Sequence, residues 1–340
     1  MEKMKRKSWS FIIALATSVM VGIGGCDSKV TTVDEKQEKK EAVTVHIGIQ
    51  QSLGPLLIAK EKGWFEEEFE KVGAKVQWTV FQSGPPHFEA LAADRLDFGV
   101  VGNSPVVAGQ AAGISFKEIA VASDGLKGNA ILVAKDSPIQ KLEDLKGKKV
   151  AVAKGSSGFN LLYRAIDKAG LKPEDVKIIQ LQPDEAQPAF ESGAVDAWAI
   201  WEPFVSVQTL KKEARVLANG QSLNVYSPNF IITRTKFSEK HPELVVHFLK
   251  VYEKARLFEK ENREEAITLY ANVKKIDKDI VSRVLENNQS FNLPITQEII
   301  KAQQDTANFQ YELKAINKKI DTEKVVDNSY ITKALQAEKK

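Results

Sequence analysis

Val100-Val101-Gly102-Asn103-Ser104-Pro105 and Ala153-Lys154-Gly155-Ser156-Ser157-Gly158 are the two stretches that decide the fold. Each leaves an apolar β-type run, tightens at a glycine and enters a segment of helical character. Asn103 or Ser104 can cap the first helix, and Pro105 suits its opening turn. The second turn enters its helix through Ser156, Ser157 and Gly158. Open α/β sheets bind ligands at the carboxyl ends of their strands. A helix start there offers unpaired amides and a partial positive charge, which attract anions without any basic side chain. One such turn is explained by ordinary capping. Two, in separate halves of the chain, point to an anion held between them.

Outward from these turns the chain alternates strand and helix. Residues 43–49, 76–81, 96–101, 119–122 and 130–134 read as strands, with helices at 56–63, 86–93 and 105–112. Strands at 149–153, 177–181, 196–200, 216–218 and 229–233 form a second series, with helices at 159–169 and 183–192. This alternation predicts mostly parallel sheets in two α/β lobes. Beyond Glu239 the pattern is helical, with an amphipathic run from Leu244 to Glu261 that returns to pack on the first lobe. The layout expected is residues 43–130 as the first part of lobe 1, 131–228 as lobe 2, and 229–340 as the return of lobe 1 with the C-terminal helices. The strands near 130–134 and 229–233 cross between lobes and serve as the hinge.

The N-terminus sets the compartment. Lys3, Lys5, Arg6 and Lys7 precede an apolar core from Phe11 to Ile23, then Gly24-Gly25-Cys26. This is the layout of a secretory signal at residues 1–25. Small residues before Cys26 resemble a bacterial lipobox, with Ile23 where Leu is usual, so Cys26 is expected to carry lipid. Two or more acyl chains are needed for stable anchoring. Residues 26–42 are then a lipid-anchored tether, polar and unable to bury enough surface to fold. The protein is expected on the extracytoplasmic face of the cell membrane.

Composition excludes several classes. Cys26 is the only cysteine, so neither an internal disulfide nor a cysteine-rich metal site can form. The formal charge of +3 falls to zero without residues 1–25, which argues against a nucleic-acid partner. Gly155-Ser156-Ser157-Gly158-Phe159 misses the nucleophile-elbow spacing, and no Walker loop, zincin or dinucleotide motif occurs. His46, His87, His241 and His247 do not cluster at metal spacing. The chain reads as a non-enzyme that needs no metal or cofactor.

Further polar groups sit at strand ends. Gln51 and Ser52, in Gln50-Gln51-Ser52-Leu53-Gly54-Pro55, are candidate donors. Asp196-Ala197-Trp198-Ala199-Ile200-Trp201-Glu202-Pro203 puts its two indoles on opposite strand faces. One belongs to the core; Trp201, beside Glu202, is the candidate pocket wall.

These stretches, with Lys154-Gly155-Ser156-Ser157 among them and Gly102–Gly113 and Asp196–Pro203 the most specific, resemble the aliphatic-sulfonate-binding subunits of ABC importers. That group also binds taurine and nitrate. The resemblance covers about residues 43–260. It implies a two-lobed periplasmic-binding-protein fold of type II-like form, monomeric, closing on a small organic anion. It implies a permease and its ATPase subunits as partners, and Gln51, Asn103, Ser104, Gly128, Ser156, Ser157 and Trp201 near the ligand. A related fold serves thiamine-pyrimidine synthesis but carries a cysteine-rich signature that one cysteine cannot supply. A sensor domain is the other alternative. With only neutral donors in the site, binding is expected to be flat from about pH 5.5 to 8.5, His87 being the one residue placed to disturb it.

Overall fold

The computed structural model describes residues 42–212 and 214–336; Cys26, the signal segment and most of the tether lie outside them. The first series runs β1 (Val43–Gln50), α1 (Pro55–Glu61), α2 (Trp64–Glu70), β2 (Ala74–Phe81), α3 (Pro85–Ala92), β3 (Phe98–Gly102), α4 (Asn103–Ala111) and β4 (Phe116–Ser123). The second runs β5 (Asn129–Ala134), β6 (Lys149–Val152), α5 (Ser157–Lys168), β7 (Lys177–Gln180), α6 (Pro183–Glu191), β8 (Ala197–Trp201), α7 (Phe204–Lys211), β9 (Ala214–Asn219) and α8 (Gly220–Leu223). Then come β10 (Asn229–Arg234), α9 (Thr235–Lys240), α10 (Pro242–Glu261), α11 (Arg263–Lys274), α12 (Lys278–Asn287), α13 (Gln297–Glu312) and α14 (Ser329–Gln336).

Two five-stranded sheets result, in the orders β2-β1-β3-β10-β4 and β7-β6-β8-β5-β9. Each has one reversed strand. β10 runs antiparallel to both β3 and β4, and β5 runs antiparallel to both β8 and β9. The other neighbours, β1 with β2 and β3, and β6 with β7 and β8, are parallel. The reversed strands are those that arrive from the other series. A helical crossover returns a strand parallel to its predecessor, whereas a direct crossing need not. The expectation of mostly parallel sheets therefore fails at β5 and β10 alone.

The cores follow from local periodicity. α5 buries Phe159, Leu162, Ala165 and Ile166 at three- and four-residue spacing against Val150 and Val152. On α10, Leu244, Val245, Phe248, Leu249 and Tyr252 cover the first sheet, and Phe248 stacks on Phe98 at 4.2 Å. Cutting Phe248 back to Ala should cost about 3–5 kcal/mol. Residues of α10 and α14 belong to the core of the first sheet. Sequence reading ends a helix at Gly63 and leaves 64–70 unassigned. Gly63 (φ 67°) instead turns the chain directly into α2, which buries Phe65 and Phe69.

Candidate anion site between the lobes

β3 feeds straight into α4, and β6 reaches α5 through a short turn. The two helix starts face each other across the cleft. Ser104 Oγ donates to the Gly155 carbonyl at 3.1 Å, and Ser157 Oγ to Asn103 Oδ1 at 3.4 Å. A Cβ on Gly102 would lie 2.0 Å from Ser157 Oγ, so any side chain there displaces Ser157 from this approach.

Between the helix starts lies a cavity of about 70 Å³. The first lobe contributes Gln50, Ser52, Gly84, Val100, Gly102, Pro105 and Asn229. The crossing segment adds Gly125, Gly128 and Asn129, the second lobe Ser156, Ser157, Trp201 and Glu202, and the end of α12 adds Asn288. Among the described residues no lysine or arginine lines it. α4 has no side-chain cap, and in α5 Ser156 Oγ accepts from Phe159 N at 3.1 Å. The uncapped first-turn amides of α4 and the N-terminal dipole ends of both helices give the cavity partial positive charge without a cation. Such a site avoids the desolvation cost of a buried ion pair.

Ser52, Gly128, Ser156, Ser157, Trp201 and Glu202 are brought together on this wall. Gln51, Asn103 and Ser104 are not on it. Gln51 Nε2 donates to Gln82 Oε1 at 2.9 Å. Asn103 and Ser104 are fully buried and braced by α13. Asn103 Nδ2 donates to Thr306 Oγ1 (3.1 Å), Gln303 Nε2 to the Asn103 carbonyl (3.1 Å), and Gln310 Nε2 to Ser104 Oγ (2.7 Å). Their side chains hold the start of α4 in place.

The two indoles part as the strand alternation requires. Trp198 is fully buried between Phe190 and Phe204, while Trp201 is partly open on the cavity. Glu202 is the one ionisable residue on the wall among the described residues, but its carboxylate is engaged elsewhere. It accepts from Ser206 N (3.0 Å), Ser206 Oγ (2.8 Å) and Asn287 Nδ2 (2.8 Å). Burial raises its pKa, and those hydrogen bonds oppose the rise. His87 lies off the cavity, 0% exposed, with Nδ1 3.2 Å from the Ser83 carbonyl oxygen. Its ring fills the space that Gly48 and Gly99 leave open, and burial lowers its pKa to about 4.

Asn229 and Asn288 are wall residues that sequence reading did not single out as donors. A polar residue opening an otherwise apolar crossing strand is the signal for Asn229. Asn288 carries none, because only the tertiary fold brings the end of α12 to the cleft.

Residues 50–266 match the family model described as NMT1/THI5 like. The chain belongs to this family. A Bacillus subtilis (strain 168) protein, provisionally named as aliphatic sulfonates-binding, is 57% identical over 95% of this chain and 96% of its own. The taurine-binding periplasmic protein of Escherichia coli (strain K12) is 32% identical over 62% of this chain and 64% of its own. Among solved structures, the alkanesulfonate-binding protein SsuA from Xanthomonas axonopodis pv. citri, bound to MOPS, is 32% identical. It covers 84% of this chain and 99% of its own, with a TM-score of 0.79. The two-lobed periplasmic-binding fold expected from the sequence is the fold of this chain, and these family members are binding proteins.

Proposed function

We propose that this protein is the extracytoplasmic substrate-binding component of an ABC importer, capturing aliphatic sulfonates between its lobes and delivering them to the permease. The observation that carries this reading is the cavity where α4 and α5 meet, lined by amides, hydroxyls and an indole and, among the described residues, by no basic side chain. A sulfonate is a permanent anion with three acceptor oxygens and an organic tail. Ser52, Ser156, Ser157 and the amides at the two helix starts suit the head; Trp201 suits the first atoms of the tail. Gln51, Asn103 and Ser104 support this site, and Glu202 sits at its edge. We assign no reaction to the chain and no metal or cofactor to the cavity. Residues 1–25 are its export signal, and lipid on Cys26 holds the protein at the membrane by a tether ending at residue 42. The lobes divide near residues 130 and 228, and the monomer closes over its ligand by bending at β5 and β10.

Calorimetric titration of the purified protein tests this. Alkanesulfonates should bind more tightly than sulfate, phosphate or nitrate. Equal or tighter binding of inorganic sulfate would overturn the sulfonate reading. Tighter binding of taurine would move the assignment to the amino-sulfonate.

A further inference from the structure

A carboxylate on the wall of an anion cavity calls for a reason, and the reason lies outside the cavity. Glu202 follows β8 of the second lobe and is 4% exposed. Its backbone amide donates to the Gly128 carbonyl at 2.9 Å, which ties it to the crossing segment. Two donors to its carboxylate, Ser206 N and Oγ, come from α7 in its own lobe. The third, Asn287 Nδ2 at 2.8 Å, comes from the end of α12. α12 belongs to the first lobe, with Ile280, Val281, Val284 and Leu285 in that core. The Asn287–Glu202 bond therefore joins the two lobes.

The same two helices meet again at their other ends. Lys211, at the end of α7, pairs with Asp277, which precedes α12. Between these points Val207 of α7 packs against the first-lobe core. α7 and α12 thus run antiparallel and are tied at both ends. The ties differ in weight. Lys211 and Asp277 are both exposed, and such a pair contributes little. A donor to a buried carboxylate is costly to remove, because the charge is left without a partner.

We infer that Asn287 is a positioning residue for anion binding: it holds the Glu202 carboxylate away from the ligand and sets the next residue, Asn288, on the cavity wall. This rests on the anion reading above. Asn287 itself does not line the cavity, whereas Glu202 and Asn288 both do. A free carboxylate there would repel an anion. Held by three donors, one of them in the first turn of α7, its charge is directed to those groups instead. Burial raises the Glu202 pKa, and the bond from Asn287 is the foremost opposing influence, ahead of Ser206 and of Arg283 on α12. Arg283 is itself paired with Glu286 at 3.2 Å.

The test is calorimetry of the purified full chain with methanesulfonate between about pH 5.5 and 8.5. Asn287→Asp sets a second carboxyl against Glu202. The two share a proton at low pH and lose it as pH rises. Affinity should then fall with rising pH by about tenfold more than in the parent. Adding Glu202→Gln to Asn287→Asp restores the bond with donor and acceptor exchanged, and should recover most of the lost affinity. Asn287→Leu keeps the volume and adds no charge. It removes the bond that lowers the Glu202 pKa, so the rise in affinity on acidification should begin at a higher pH than in the parent. A loss of packing alone would lower affinity at every pH and leave that midpoint in place. Thermal melting establishes that each variant folds; if Asn287→Asp does not, the Asn287→Leu profile decides. Parent-like profiles in the Asn287 variants overturn the inference and leave the anion reading standing. A double variant no better than Asn287→Asp overturns it as well. If no alkanesulfonate binds the parent, the anion reading falls and this inference with it.

Discussion

Arg164 on α5 sets its guanidinium over the ring of Phe309 on α13, with the guanidinium carbon 3.8 Å from the ring centroid. The same group donates from Nη2 to the Asp305 carbonyl at 2.9 Å. A helix of the second lobe is thereby clasped to the helix that braces Asn103 and Ser104. A partly desolvated cation–π contact is worth about 1–2 kcal/mol. Arg164→Ala should therefore weaken sulfonate binding by about fivefold to thirtyfold. Dissociation should be faster in stopped-flow measurements and the radius of gyration of the ligated protein larger. An unchanged off-rate would remove the clasp from the closing mechanism.

Gly102 is the closest approach between the helix starts. A methyl group there displaces Ser157 Oγ and crowds Asn229 Oδ1, at 2.0 and 3.2 Å from the added carbon. Gly102→Ala should lower affinity for every alkanesulfonate by more than about tenfold. The ligand-free melting temperature should move by only a few degrees, because φ at Gly102 is −73°, which any residue adopts. A large loss of melting temperature with little loss of affinity would contradict this account.

The pH profile of binding should follow Glu202. His87 is neutral across the working range, because burial holds its pKa near 4. His87→Gln should leave the profile unchanged. Glu202 is the ionisable group on the wall, and burial raises its carboxyl above the usual glutamate range. Its negative form opposes an anionic ligand, so affinity should rise as pH falls through its titration and level off once it is protonated. The flat profile expected from a wholly neutral site therefore gives way at the acid end. Titrations of Glu202→Gln should restore flatness; a rise that persists there would assign the effect to another group.

Glu118 on β4 is 1% exposed, and its Oε1 has no hydrogen-bond partner among the described residues. Burial alone raises its pKa from 4.5 to about 8. The folded state thus holds a proton that the unfolded chain has released. Its contribution to stability is complete below about pH 4.5 and is lost as pH rises through about 8. Glu118→Gln should be more stable than the parent above pH 8, by on the order of a few kcal/mol. Urea denaturation at pH 6 and pH 9 measures the difference; equal midpoints at pH 9 would show that Glu118 is ionised without cost.

The proposed lipidation of Cys26 predicts that Cys26→Ala moves the protein from the membrane fraction into the soluble fraction. Retention in the membrane fraction would refute lipidation at that residue.

Much of this protein can be read along the chain, because neighbouring residues impose it. Alternation of two marks the strands, spacing of three to four marks the amphipathic α5 and α10, and both meet at the turns ahead of α4 and α5. The opposite faces of Trp198 and Trp201 follow from the same alternation. What the alternation leaves open is which indole faces the core, and packing against Phe190 and Phe204 decides that. Asn103 and Ser104 stand at capping positions in the sequence. Only α13, arriving some 200 residues later, turns their side chains into braces, as in the Gln310–Ser104 bond across 206 residues. Asn288 likewise reaches the cavity only because distant segments meet. Local patterns specify elements because each element's geometry repeats within a few residues. The cavity is a relation between elements, and it exists only where they pack.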